Sequence, residues 1–255
     1  MEPLIAEVVG TAILILLGDG VVANAILTKT KGNSGGWIVI TAGWGFAVFV
    51  GVYCVAALSG AHINPAVTLG LALTDNFGTD FFTGWGDVVP YIVAQLIGAM
   101  IGALLVYISY YQHYQEEKDP GVILGTFSTG SEIRNPLWNT VTEIVGTFML
   151  VFGVFMITGF SMEDPNGGTV VINSGALGAL PVALLVFGIG LSLGGPTGYA
   201  INPARDLGPR IMHQILPIKN KGDSDWGYSW IPVVGPFIGA AVAAGVWLAL
   251  PGFGG

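Results

Sequence analysis

Six long apolar runs alternate with short polar segments along the chain, at roughly 3–27, 37–59, 85–111, 139–160, 175–195 and 230–250. Each is close to the 20 or so residues that an α-helix, rising 1.5 Å per residue, needs to cross about 30 Å of hydrocarbon. Two further apolar stretches are interrupted. "SGAHINPAV" at 59–67 and "GYAINPARD" at 198–206 set an asparagine and a proline, with a histidine or an arginine beside them, between apolar flanks. Asn is a good N-cap and Pro is best tolerated at the first helical position, so each Asn-Pro-Ala starts a helix. "NPAVTLGLALT" at 64–74 is long enough for about 16 Å, roughly half the hydrocarbon thickness, and "NPARDLGPRIMHQI" from 202 is similar. The residues before each Asn cannot be helical where they meet it, which leaves their carbonyls unpaired. Such backbone survives at membrane depth only where it lines a watery cavity. The pattern predicts six spans, two half-helices and a pore.

The chain also repeats itself. "AEVVGT" at 6–11 matches "TEIVGT" at 142–147, "INPA" at 63–66 matches "INPA" at 201–204, and "QLIGA" at 95–99 pairs more weakly with "PFIGA" at 236–240. Each half carries three spans, an odd number, so the second half enters the membrane from the opposite side. The result is an inverted repeat with the two short elements facing each other across the midplane. A single domain, 1–255, then divides into a first repeat of about 1–111, a connecting loop of about 112–136 and a second repeat of about 137–255.

Composition agrees: 53% of the 255 residues are hydrophobic and 9% charged, against about 25% charged in a soluble domain. The first run opens "MEPLIAEVVGT", with no basic segment and no small-residue cleavage site after it, and reads as a retained span. The net charge of −8 is spread thinly, without the basic cluster that nucleic acid or anionic headgroups would call for. The lone Cys54 lies within the second run, so it forms no intrachain disulfide and reads as a small packing residue. Lys29, Lys31, Lys118, Arg134, Lys219 and Lys221 fall on one side; Glu2, Asp75, Asp80, Glu163 and Asp164 fall on the other. Taken alone, that bias places the lysine-bearing loops in the cytoplasm.

Duplicated Asn-Pro-Ala on a six-span inverted repeat, with Glu7 and Glu143 in the first span of each half, resembles the aquaporin or major intrinsic protein family over essentially the whole chain. The resemblance implies an all-α membrane fold of six transmembrane helices and two re-entrant half-helices, the aquaporin-like hourglass. It implies cytoplasmic termini, against the charge bias, and a homotetramer with a pore in each protomer. Four constriction positions carry over to Trp44, Gly190, Tyr199 and Arg205. Strict water channels of the family usually have His where Gly190 stands and a small residue where Tyr199 stands. Together with Asp206 after the arginine, the set resembles aquaglyceroporins, close to bacterial glycerol facilitators, with Tyr where many of those have Phe. The resemblance further implies pore-lining carbonyls on Gly60, Ala61, His62, Gly198, Tyr199 and Ala200, and Asn64 and Asn202 as midplane donors within the motifs Asn64-Pro65-Ala66 and Asn202-Pro203-Ala204.

The chemistry suits a polyol. Trp44 and Tyr199 offer faces to its carbon edge, while Arg205 and the carbonyls serve its hydroxyls. The half-helix N-termini, about +0.5 charge each, and the full charge of Arg205 oppose cations and protons. No catalytic residue, cofactor or metal is called for, and the expected partners are small neutral solutes and the lipid of a bacterial cell membrane.

Other readings stay open. The solute could instead be water, urea or a neutral hydroxy acid such as lactic acid, and a secondary active transporter or an adhesive membrane protein remain rival classes. A transporter would need Glu7, Glu143 or Asp19 as its ionisable group; the structural reading makes Glu7 and Glu143 acceptors for the loop N–H groups. Trp44 could face lipid, and Arg205 could be the partner of Asp206. His62 packs within its loop in the preferred reading, and His113 and His213 lie at the surface. Asp19 is solvated if it lies near the outer mouth, and has no assigned role. "GAMIG" at 98–102 and "GPFIG" at 235–239 read as small-residue helix contacts, within or between protomers.

Overall fold

All six apolar runs are helical in a computed structural model of the chain, which describes residues 1–77, 81–157, 160–163, 169–172 and 175–250. In order these are α1 (Glu2–Ile26), α2 (Trp37–Ser59), the short α3 (Pro65–Leu73) and α4 (Val88–Ser109, led by a 3-10 turn at Trp85–Asp87). Two single-turn helices follow, α5 (Tyr111–Glu116) and α6 (Pro120–Gly125), and then α7 (Pro136–Met156). An antiparallel hairpin of β1 (Phe160–Glu163) and β2 (Thr169–Ile172) leads through a 3-10 segment, Gly175–Ala179, to α8 (Leu180–Leu193). The second short helix, α9 (Pro203–Ile215), and α10 (Ile231–Ala249) complete the chain. Among the described residues six helices are long and apolar enough to cross a membrane. The fourth stops at Met156 rather than at 160, and Asp80 and Asp164 lie outside the described residues. The hairpin was not anticipated, although "DPNGG" at 164–168 before "TVVI" is a turn signal followed by a β-branched run.

The helices are packed in the reverse sense of a soluble bundle. Large apolar side chains such as Ile5, Phe46, Val89 and Leu184 are exposed, while Glu7, Thr11, Thr68, Gln95, Glu143 and Thr147 are buried. Lipid is as apolar as leucine, so association rests on close approach of backbones rather than on expelling water. Gly98 and Gly102 provide it: a Cβ there would stand 2.3 Å from the carbonyl oxygen of Val8 and 2.6 Å from that of Ala12, so α4 lies directly on α1. Gly239 does the same for α10 on α7, with a Cβ 2.5 Å from the Ile144 oxygen. The two small-residue motifs are therefore contacts within the chain. Cys54 is exposed on the outer face of α2 and is not a packing residue.

Each half-helix packs against the last long helix of the other half, α9 on α4 and α3 on α10. A Cβ at Gly208 of α9 would meet the Ala99 Cβ at 2.6 Å. The halves are thereby interleaved, and the two Asn-Pro-Ala helix starts meet inside the molecule.

Candidate functional site: two strained loops and the cavity between them

Both loops that feed the half-helices share one backbone shape. Gly60, Ala61 and Ile63 have φ of 80°, 52° and 42°; Gly198, Tyr199 and Ile201 have 79°, 40° and 43°. Left-handed backbone costs a non-glycine residue about 1–2 kcal/mol, and four non-glycine residues adopt it here. The offset comes from two buried carboxylates. Glu7 accepts from the backbone N–H groups of His62 at 2.9 Å and Ile63 at 2.7 Å, from Ser59 Oγ at 2.7 Å and from Gln95 Nε2 at 2.7 Å. Glu143 accepts from Ala200 N–H at 3.1 Å, Ile201 N–H at 2.9 Å and Thr197 Oγ1 at 2.7 Å. Hydrogen bonds to a charged group are worth about 1.5–3 kcal/mol each, enough to hold the strained shape.

The repeated Glu-x-x-Gly-Thr segment now has a physical reading position by position. Its Glu binds the loop. Its Gly receives the loop isoleucine: a Cβ at Gly10 would be 2.9 Å from Ile63 Cγ2, and one at Gly146 would be 3.0 Å from Ile201 Cγ2. Its Thr sits where a Cβ on Gly98 or Gly239 would be 3.0 or 2.9 Å from Thr11 or Thr147 Cβ.

The two asparagines cap their own helices and tie the halves together. Asn64 Oδ1 accepts from Ala66 N–H at 2.9 Å; Asn202 Oδ1 accepts from Ala204 N–H at 3.1 Å and Arg205 N–H at 3.2 Å. Across the midplane Asn64 Nδ2 donates to the Ile201 carbonyl at 2.8 Å, and Asn202 Nδ2 donates to the Ile63 carbonyl at 2.9 Å. One hydrogen of each amide remains, and both asparagines line a cavity of about 270 Å³. Pro65, Ala66, Pro203 and Ala204 are buried at the helix starts and do not line it.

The lining includes the aliphatic residues Leu14, Val48, Val52, Val67, Leu150 and Val186, the loop residues Gly60, Ala61, His62, Ile63, Tyr199, Ala200 and Ile201, and the charged Arg205. Of the expected carbonyl positions, Gly198 is not on the wall. Trp44 and Tyr199 are 4% and 5% exposed and both line the cavity, so Trp44 does not face lipid. The Arg205 guanidinium lies over the Trp44 ring, 4.0 Å from its centroid. Gly190 is not on the wall. It seats the tyrosine instead: a Cβ there would be 2.8 Å from Tyr199 Cζ and 2.8 Å from Thr41 Cγ2. Trp37, unassigned from sequence, donates its Nε1 to the Gly190 carbonyl at 2.9 Å and meets the Tyr199 ring edge-on at 5.7 Å.

Trp44 Nε1 and Tyr199 Oη are buried without a hydrogen-bond partner among the described residues. Buried polar atoms of this kind are rare, and here both belong to cavity-lining side chains. Arg205 gives one N–H to Asp19 at 3.3 Å, which leaves its other donors for whatever enters.

Several residues sit elsewhere than expected. Asp19 is buried, 1% exposed, not solvated. The alternative pairing of Arg205 with Asp206 is not made: Arg205 pairs with Asp19. Asp206 instead accepts from Arg210 Nε at 2.8 Å and from the Thr129 N–H and hydroxyl at 2.8 and 2.7 Å. Arg210 also donates to the carbonyls of Thr129 and Ser224, both at 2.8 Å, which fastens two connecting loops to α9. Its position, four residues after Asp206 on one helix face, was the available signal. His213 is fully buried, with Nδ1 2.8 Å from Ser224 Oγ, and is no surface residue. His113 is half-buried against the Thr28 carbonyl at 3.1 Å. His62 packs within its loop as expected, 3.1 Å from Thr68 Oγ1 and against the rings of Phe82 and Tyr91. Among the described residues no three His, Cys, Asp or Glu side chains gather as a metal site.

Comparison with known proteins gives the same picture over the whole length. A glycerol uptake facilitator protein of Streptococcus pneumoniae is 54% identical over 243 residues, 95% of this chain and 97% of that one. Glycerol uptake facilitator protein 3 of Lactiplantibacillus plantarum is 50% identical, with 97% and 96% covered. The X-ray structure of the aquaglyceroporin from Plasmodium falciparum superposes with a TM-score of 0.82 at 31% identity, covering 98% of this chain and 96% of that one. The family model for major intrinsic proteins matches residues 1–247. With its paired half-helices, its cross-bonded asparagines and these likenesses, the chain belongs to the major intrinsic protein family.

Proposed function

We propose that the protein is a passive transmembrane channel for small uncharged solutes, glycerol and similar polyols foremost, with some water. The observation that carries this reading is the grouping of two aromatic rings and an arginine in the cavity lining, with the Arg205 guanidinium over the Trp44 ring. The name of the 54%-identical relative supports it. A polyol slides its carbon edge along Trp44 and Tyr199 while its hydroxyls exchange among Arg205, loop carbonyls and the Asn64 and Asn202 amides. Trp44, Tyr199 and Arg205 act as the constriction, and Gly190 sets its width by seating the tyrosine. Glu7 and Glu143 hold the loops; three or four donors to each support a role as fixed acceptors over a proton relay. Permeation makes and breaks no bond, so the protein is no enzyme.

The remaining parts of the reading follow the family. The chain is one channel domain of two repeats, about 1–111 and 137–255, joined by 112–136, in the plasma membrane of a bacterium with both termini cytoplasmic. Four protomers assemble, each with its own pore; a monomer mass for the particle in lipid nanodiscs would contradict this. The solute is tested by stopped-flow on proteoliposomes with glycerol, dihydroxyacetone, urea, lactic acid at low pH, and water. Glycerol permeability well above that of protein-free vesicles is expected. A protein that passes lactic acid or urea and not glycerol would replace this reading with a channel for those solutes.

A further inference from the structure

Asp19 belongs to none of the machinery described so far, yet it is a buried carboxylate in contact with the constriction. Its side chain is 2% exposed, and Oδ1 stands 3.3 Å from Arg205 Nη1, itself on a side chain 8% exposed. Asp19 Oδ2 has no hydrogen-bond partner among the described residues. The neighbouring Gly18 lets α1 come this close: a Cβ there would be 2.2 Å from Trp44 Cζ3. One turn of α1 therefore touches both the aromatic wall and the cation that lies over it.

The other charges nearby are already occupied. Asp206 is engaged by Arg210, and Glu7 and Glu143 accept from the loop N–H groups and neighbouring side chains. Asp19 is the one ion-pair partner of Arg205 among the described residues. We infer that Asp19 is a positioning and charge-compensating residue of the constriction, holding the Arg205 guanidinium over Trp44 and cancelling its charge, so that the pair is close to neutral. The arginine then acts on solutes mainly as a fixed set of N–H donors. The barrier to cations rests on the two half-helix N-termini, and an anion gains no attraction from the arginine. A desolvated charge left alone in this wall would attract ions of opposite sign. Each half of the pair therefore suppresses the leak that the other would cause.

This inference rests on the reading of the cavity as a pore. Its test compares nitrate and potassium permeability with glycerol permeability in the same proteoliposomes. Asp19→Asn leaves Arg205 uncompensated, and the nitrate-to-glycerol ratio should rise at least about tenfold, a change of about 1.4 kcal/mol in barrier. Asp19→Glu should keep the wild-type ratio. Arg205→Gln leaves the carboxylate alone and should raise the potassium-to-glycerol ratio about tenfold. The double variant Asp19→Asn, Arg205→Gln should bring both ratios back to within about threefold of wild type. A nitrate ratio within about twofold of wild type in an Asp19→Asn protein that still conducts glycerol overturns the inference. If Asp19→Asn alone does not fold, equal potassium ratios in Arg205→Gln and the double variant overturn it. Absence of glycerol flux in the wild type is a separate result, and removes the pore reading together with everything built on it.

Discussion

Gly190 and Tyr199 divide one task between them, and neither does it alone. The glycine contributes no surface to the cavity; it makes room for the ring that does. Gly190→His should therefore act through Tyr199, pushing the ring into the lumen, because even a Cβ would meet it at 2.8 Å. We expect glycerol permeability to fall at least about tenfold, equivalent to about 1.4 kcal/mol, and water, which needs only about one probe sphere of width, to fall less. Unchanged glycerol flux would remove Gly190 from the constriction, and equal losses of both would indicate misfolding. Glu143 offers a second test. Glu143→Ala strands the N–H groups of Ala200 and Ile201 in a dry interior, at about 1–3 kcal/mol each. It should lower the thermal unfolding temperature in detergent, and an unchanged transition would contradict the anchoring role. Both residues were legible in the sequence, Gly190 from the family pattern and Glu143 from its echo in Glu7. Asp19 was not, because nothing along the chain places residue 19 beside residue 205; only the folding of α1 against α2 and α4, with α9 seated on α4, does so.

At the scale of elements, spans and half-helices were legible because the bilayer makes the pattern coarse. A run of about 20 apolar residues has few alternatives, and Asn-Pro has a cap-and-start chemistry that α3 and α9 follow at Pro65 and Pro203. What could not be read was which face turns inward. With apolar residues all round, the buried face is chosen by close backbone approach rather than by hydrophobicity, so Cys54 was placed inside when it lies outside. The α1–α4 and α7–α10 contacts are where that choice is made. Gly98→Leu should separate α4 from the Val8 carbonyl, which a Cβ would approach to 2.3 Å. Overpacking of this kind costs about 1–3 kcal/mol or more. Val93→Leu on the exposed face of the same helix should cost close to nothing. Comparable loss of stability in the two variants, measured by unfolding in detergent, would mean that α4 does not depend on this contact.

At the scale of the whole molecule, the charge bias and the family topology disagree about orientation. Of the six cations on the lysine-bearing side, Lys29 pairs with Glu116, Arg134 with Asp225, and Lys221 donates to the carbonyls of His213, Gln214 and Leu216. The proposed cytoplasmic termini follow the family topology instead. A C-terminal tag should thus be protected from protease in intact cells, and cleavage from outside would reverse the orientation. The interleaving of the halves, each half-helix seated on the other half and each asparagine bonded across the midplane, favours a fixed lumen over a cycle of exposed states as the reading to test. That is the central claim, and flux itself tests it most directly. Initial glycerol flux into proteoliposomes should rise linearly with the glycerol gradient and be indifferent to an imposed proton gradient. Saturation at low glycerol concentration, or uptake that follows the proton gradient, would contradict a passive channel.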